Sequence, residues 1–176
     1  MRQFALAVAC VLAATTARGA ELIAPGTAFP AWSLVDETGQ AVSSAQLNGK
    51  RYLLWFYPKA MTPGCTAEGQ GLRDSYAAFQ AAGVAVFGVS FDAPGDNAAF
   101  VRAEGFPFRL LSDRERTLAV AVGAATTREQ PMARRISYLV GPDGRVLRAY
   151  DNVSPATHAR EVLADVTAAP PDRVPQ

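Results

Sequence analysis

The sequence predicts an α/β domain built on a mixed central sheet, and three observations carry that prediction. Residues 51–57 and 84–90 are continuous apolar runs of strand length, as expected of strands covered on both faces. Between them Leu72, Tyr76 and Phe79 recur at helical spacing, so the unit reads strand, helix, strand, with the strands parallel and the crossover right-handed. Residues 135–140 and 145–150 flank Gly141-Pro142-Asp143-Gly144, whose turn chemistry makes them an antiparallel hairpin.

The remaining elements follow in order. Ala31-Trp32-Ser33-Leu34-Val35 and Gln40-Ala41-Val42 surround Asp36-Glu37-Thr38-Gly39 and predict an N-terminal β-hairpin. The strand at 51–57 should be central. A helix opens at Thr62-Pro63-Gly64-Cys65, where proline is tolerated in the first turn, and runs to Gly83. A helix over 94–104, a short strand over 108–111 and a helix over 114–122 ended by Gly123 come next. Val162, Leu163 and Val166 mark a closing helix over 155–168. No internal repeat interrupts this order. A parallel half followed by an antiparallel hairpin and a last helix is a thioredoxin-like arrangement, with helices on both faces of the sheet.

The 176 residues suit one domain, expected over 20–169, with a flexible proline-containing tail over 170–176. A hydrophobic fraction of 49% against 19% charged is ordinary for a folded protein and excludes wholesale disorder. Net charge is +1 with acids and bases interleaved, which excludes the basic patch that nucleic acid would need.

The first 19 residues stand apart. Arg2 precedes an apolar run from Phe4 to Ala14, and Ala17-Arg18-Gly19 provides small residues for cleavage, so 1–19 reads as a secretory signal peptide. The run falls well below the ~18–20 apolar residues of a membrane span, so no stable membrane insertion is expected. Export, to a bacterial periplasm, would remove Arg2 and Arg18 and take the formal charge from +1 to −1. It would also remove Cys10 and leave Cys65 alone. A lone thiol in an oxidising compartment cannot form an internal disulfide, and so invites a chemical explanation.

Cys65 lies just inside the start of its helix, where unpaired N–H groups and the positive helix end favour a negative charge, and the thiolate is the nucleophilic form. Thr62, three residues earlier on the same turn, can place its hydroxyl in the space before the sulfur. Pro58 and Pro63 stiffen the loop. Taken alone, a cysteine of this kind is more often an inert core residue.

The segment Phe56-Tyr57-Pro58-Lys59-Ala60-Met61-Thr62-Pro63-Gly64-Cys65-Thr66-Ala67-Glu68 resembles the active-site segment of peroxiredoxins, in particular the bacterioferritin-comigratory or PrxQ subfamily. The similarity extends to Arg73-Asp74, to Gly88-Val89-Ser90-Phe91-Asp92, to Leu110-Leu111-Ser112-Asp113 and to Arg135-Ile136-Ser137-Tyr138. The resemblance implies a peroxidatic cysteine at Cys65, a peroxide-orienting hydroxyl at Thr62, a shielding proline at Pro58 and an arginine at Arg135. Arg134 is the near competitor; Arg135 is preferred because it stands three residues before Tyr138. The amides of Gly64 and Cys65 would hold peroxide oxygens, and Glu68 would pair with the arginine.

The implied reaction is reduction of hydrogen peroxide or organic hydroperoxides through a sulfenic acid. Many PrxQ proteins carry a resolving cysteine five residues after the first, and here that position is Gln70. The resemblance therefore implies a one-cysteine enzyme regenerated by an external partner: a low-molecular-weight thiol, or a thioredoxin- or glutaredoxin-like protein. A monomer or weak homodimer is expected. Two rivals are a thiol-disulfide oxidoreductase of thioredoxin type, disfavoured because Thr62 occupies the place of its second cysteine, and a non-catalytic chaperone or binding module on the same fold.

Other chemistry-bearing residues read as bland. His158, the only histidine, falls on the last helix as a surface or packing residue; Trp55, Phe56 and Tyr57 are core and pocket wall, and Lys59 is a solvated loop charge. No cluster has metal-ligand spacing, so neither metal nor other cofactor is expected.

Overall fold

The computed structural model describes residues 21–151 and 153–168; the leader expected over 1–19 and the tail expected over 170–176 lie outside them. Among the described residues seven strands form one sheet: β1 (Ser33–Asp36), β2 (Ala41–Ser43), β3 (Arg51–Phe56), β4 (Val84–Ser90), β5 (Arg109–Ser112), β6 (Ile136–Val140) and β7 (Val146–Tyr150). Their order is β2-β1-β5-β4-β3-β6-β7. β3 runs parallel to β4 and antiparallel to β6, and β4 runs parallel to β5. The two hairpins stand at opposite edges as antiparallel pairs. This is the mixed thioredoxin-like sheet that the sequence pattern predicts.

Strand alternation divides the core. Leu53, Trp55 and Tyr57 face one side, while Tyr52, Leu54 and Phe56 face the other, and all six are buried. The first side is covered by α1 (Pro63–Asp74), α2 (Tyr76–Ala81), α3 (Pro94–Glu104) and α5 (His158–Ala168), through Leu72, Phe79, Phe100 and Val162. The second is covered by α4 (Thr117–Ala121) and the N-terminal segment, through Leu118, Phe29 and Trp32. No helix of the described residues is long and apolar enough to cross a membrane.

The helices depart most from expectation in three places. The helix predicted to run from Thr62 to Gly83 is broken at Ser75, whose ψ of 2° leaves the helical region. α4 begins only at Thr117, because Arg116 takes a left-handed φ of 53° that a helix cannot include. α5 starts at His158 rather than Pro155, because Ser154 closes a turn by accepting bonds from the amides of Thr157 and His158.

Two features fix α3 and α1 against the sheet. Tyr57 donates its hydroxyl to Asn97 Oδ1 at 2.7 Å, and Asn97 in turn donates to Ser112 Oγ at 3.2 Å, joining β3, α3 and β5 through a buried amide. Gly69 lets α1 approach closely, since a Cβ there would lie 2.5 Å from Phe106 Cζ and 3.1 Å from Trp55 Cη2. Gly69→Ala should therefore lower stability by about 1–3 kcal/mol, overpacking outweighing the gain in helix propensity. Urea unfolding measures this, and an unchanged or raised midpoint would contradict the close approach.

Candidate active site

The end of β3, the start of α1 and the start of β6 converge on one sulfur. β3 and β6 pair through Phe56 and Ile136, so the chain leaving β3 and the residue entering β6, Arg135, stand side by side at one end of the sheet. After Tyr57 the loop turns back. Its return is tied to the segment after β4: the Ala60 amide donates to Asp92 Oδ2 at 2.8 Å, and the Lys59 ammonium lies 3.7 Å from Asp92 Oδ1. Lys59 is thus solvated, as expected, but also paired. Met61 then takes a left-handed φ of 62°, a conformation costly for a side chain of its kind, and stands exposed directly before Thr62.

Thr62 is the N-cap of α1, with extended backbone and no side-chain capping bond; Pro63 follows inside the first turn. The Thr62 hydroxyl donates to the Lys59 carbonyl at 2.8 Å. Its proton is committed, and only lone pairs remain to face a ligand. Because the cap side chain turns away, it does not occupy the amides of Gly64 and Cys65, which helix geometry leaves without intrahelical acceptors.

Cys65 is wholly buried and is the only cysteine among the described residues. Arg135 Nη2 lies 3.4 Å from its sulfur, and Nη1 of the same guanidinium bonds Glu68 Oε2. Of the two adjacent arginines, Arg135 is the one beside the sulfur. Arg134 instead donates to the Gly123 carbonyl at 2.8 Å and to Asp151 at 3.0 Å, away from the sulfur. Gly64 serves this approach, since a Cβ there would stand 3.1 Å from Arg135 Nη2. Pro58 is half-buried at the edge of a cleft of about 150 Å³ that it shares with Lys59, Phe91 and Arg116. Gln70, five residues after Cys65, donates to Glu104 Oε2 at 2.8 Å.

Electrostatics follow from burial. Glu68 has no accessible side-chain surface, and burial pushes its carboxyl above the ordinary range against the pull of Trp55 and Arg135. Burial also works against the Arg135 charge, but Glu68 and the Cys65 sulfur more than offset it, so this guanidinium is held more firmly ionised than usual. His158, expected to be a surface or packing residue, is a packing residue that reaches the site. It is fully buried, edge-on to Tyr150, with Nε2 2.9 Å from Ser137 Oγ and 4.0 Å from Glu68 Oε1. Nothing local in the sequence signals this, because α5 meets α1 only through the folded packing. Among the described residues no group of three or more His, Cys, Asp or Glu side chains could hold a metal ion.

With this geometry in view, comparison with known proteins is decisive. The profile of the AhpC/TSA family matches residues 25–149. The chain belongs to that family. Within it, peroxiredoxin Bcp of Escherichia coli (strain K12) is 36% identical over 143 residues, covering 78% of this chain and 92% of that protein. A putative peroxiredoxin of Mycobacterium tuberculosis (strain ATCC 25618 / H37Rv) is 35% identical over 150 residues, covering 82% and 96%. Among solved structures, peroxidoxin BcpB of Mycobacterium tuberculosis superposes with a TM-score of 0.77 at 30% identity, covering 82% of this chain and 96% of that one. Peroxiredoxin Q of Xanthomonas campestris gives 0.74 at 31% identity, covering 86% and 98%. The chain is accordingly a peroxiredoxin of the Bcp/PrxQ type, and these relatives support a thiol peroxidase, an oxidoreductase.

His158 gives this peroxiredoxin a pH signature of its own. Burial, and secondly the Arg135 charge, lower its imidazole to about 4 from an ordinary 6.5. Below 6.5 the unfolded chain takes up a proton that the native state refuses, so this contribution falls as pH drops towards 4 and is constant above 6.5. The loss across that window is on the order of 3 kcal/mol. Urea unfolding at pH 7 and pH 5 should show a smaller acid loss in His158→Gln than in wild type; equal losses would remove the assignment.

Proposed function

We propose that this chain is a one-cysteine peroxidase in which Cys65 reduces hydrogen peroxide and organic hydroperoxides, and is then regenerated by an external thiol. The observation that carries the reading is a single guanidinium, Arg135, bonded to Glu68 on one arm and standing 3.4 Å from the Cys65 sulfur on the other.

The thiolate attacks the terminal oxygen of the peroxide. A sulfur–oxygen bond forms as the oxygen–oxygen bond breaks, sulfur is oxidised by two electrons, and the leaving oxygen takes a proton to depart as water or alcohol. The attacked oxygen keeps its hydrogen and becomes the sulfenic hydroxyl. Thr62, with its own proton given to Lys59, accepts from that hydroxyl during approach. Arg135 and the amides of Gly64 and Cys65 donate to the oxygens as negative charge builds up, an effect worth several kcal/mol in comparable sites. A Xanthomonas campestris bacterioferritin comigratory protein, 30% identical in sequence, has been described with alkyl peroxide reduction activity, which supports including organic hydroperoxides.

Regeneration by an outside thiol is inferred from the place of Cys65 among the described residues. With Cys65 alone among the described residues, the sulfenic acid has no internal partner there. A first thiol displaces water to give a mixed disulfide, and a second releases the Cys65 thiol and leaves as the oxidised disulfide. Low-molecular-weight thiols and thioredoxin- or glutaredoxin-like proteins all supply this chemistry. A thiol-disulfide oxidoreductase of thioredoxin type gains no support, since Thr62 stands where its second cysteine would be.

Peroxide consumption should vanish in Cys65→Ser. It should fall about a hundredfold in Arg135→Lys, because one ammonium cannot serve Glu68 and the oxygens together. Stopped-flow oxidation checks both, and a serine variant as active as wild type would end the proposal. Excess peroxide without reductant should drive Cys65 to sulfinic or sulfonic acid, or to an intermolecular disulfide. Mass spectrometry of the treated protein reads this directly, and an unoxidised thiol is the contrary result.

A further inference from the structure

Behind the arginine lies a buried polar group that the reaction as written does not use. Glu68 gives one carboxylate oxygen to Arg135; the other, Oε1, is buried with no hydrogen-bond partner. A buried carboxylate oxygen without a donor is costly, so what faces it matters. Two side chains act on this carboxylate: Trp55, whose Nε1 is likewise buried without a hydrogen-bond partner, and His158, with Nε2 4.0 Å from Oε1 and 2.9 Å from Ser137 Oγ. The other ring nitrogen, Nδ1, is buried without a partner.

These contacts assign the tautomer. An N–H without an acceptor is rarer in protein interiors than a lone pair without a donor, so the single proton of the neutral ring belongs on Nε2. There Ser137 Oγ accepts it and the Glu68 carboxylate attracts it, while Nδ1 keeps a bare lone pair. The positive end of the ring dipole then points at Glu68. A charged imidazolium would behave differently, as a second cation drawing Glu68 from Arg135. Burial and the Arg135 charge keep the ring neutral.

The placement of the ring is over-determined. His158 begins α5, Tyr150 on β7 packs edge-on against it at 5.3 Å between centroids, and the Tyr150 hydroxyl is occupied with Asp165 at 2.9 Å. Ser137 lies on β6 two residues after Arg135, the residue that enters the strand.

We propose that His158, held by Ser137, is a positioning residue for the peroxide step: its Nε2–H dipole orients the Glu68 carboxylate, which in turn keeps the Arg135 guanidinium aimed at the Cys65 sulfur. The inference rests on Cys65 being the peroxidatic thiol.

The test compares two reactions of the Cys65 sulfur. Hydrogen peroxide needs the guanidinium on a departing oxygen, whereas alkylation by iodoacetamide does not. In His158→Leu, single-turnover oxidation should fall about tenfold with alkylation changed far less, and in His158→Gln, whose amide can restore the N–H, oxidation should recover most of that loss. Should the leucine variant not fold, His158→Met removes the same donor with a more adaptable side chain. Wild-type oxidation in the folded leucine or methionine variant, parallel change in both reactions, or failure of glutamine to recover the rate would each overturn the positioning role. Wild-type protein inert towards peroxide would instead strike the function reading beneath it.

Discussion

The structure depends on one guanidinium held between a carboxylate and a sulfur inside the seam of a sheet and a helix. Arg135 reaches this place because β6 pairs with β3, and Cys65 and Glu68 reach it because they stand one turn apart on the same face of α1. Each partner restrains the others. Without Glu68 the arginine would be free to extend into solvent; without Arg135 a fully buried carboxylate would lose its counter-charge, a loss generally far costlier than the pair is stabilising.

That economy explains features that look incidental. Gly64 removes a side chain that would press on Arg135, and Gly69 removes one that would hold α1 away from Trp55 and Phe106. Met61 bears a left-handed backbone, so the turn between β3 and α1 stores strain immediately before Thr62. The Lys59 carbonyl orients the Thr62 hydroxyl, and Asp92 anchors the same loop from the segment that follows β4. Small residues, strain and tethers all act to bring rigid elements to one point, where electrostatic preorganisation can stabilise developing charge.

Much of this was legible in the order of residues. Apolar runs of strand length, a helical repeat after a proline-glycine opening and a Gly-Pro-Asp-Gly turn carry their structure locally, and the corresponding strands and helices follow them. Legibility failed where neighbours in space overrule neighbours in sequence. The break at Ser75 and the left-handed Arg116 have no composition signal, and an uninterrupted helix was the natural reading of both segments. Two adjacent arginines were separable by a family resemblance but not by physics, since either could have flanked the sheet. Thr62 was expected before the sulfur; its bond to the Lys59 carbonyl was not foreseeable, because it depends on how the loop folds back.

What the sequence determined by itself was the alternation of strands and helices, through periodicity and turn chemistry that act over a few residues, and the family, through the resemblance of the segment around Cys65. What only the tertiary structure decided was the company that Cys65 keeps. Arg135 rather than Arg134, the burial of Glu68 and the arrival of His158 behind it arise when β6 and α5 close on α1. Hydrogen bonds and desolvation depend on distances of a few ångströms between segments far apart in the chain, and no local pattern encodes them.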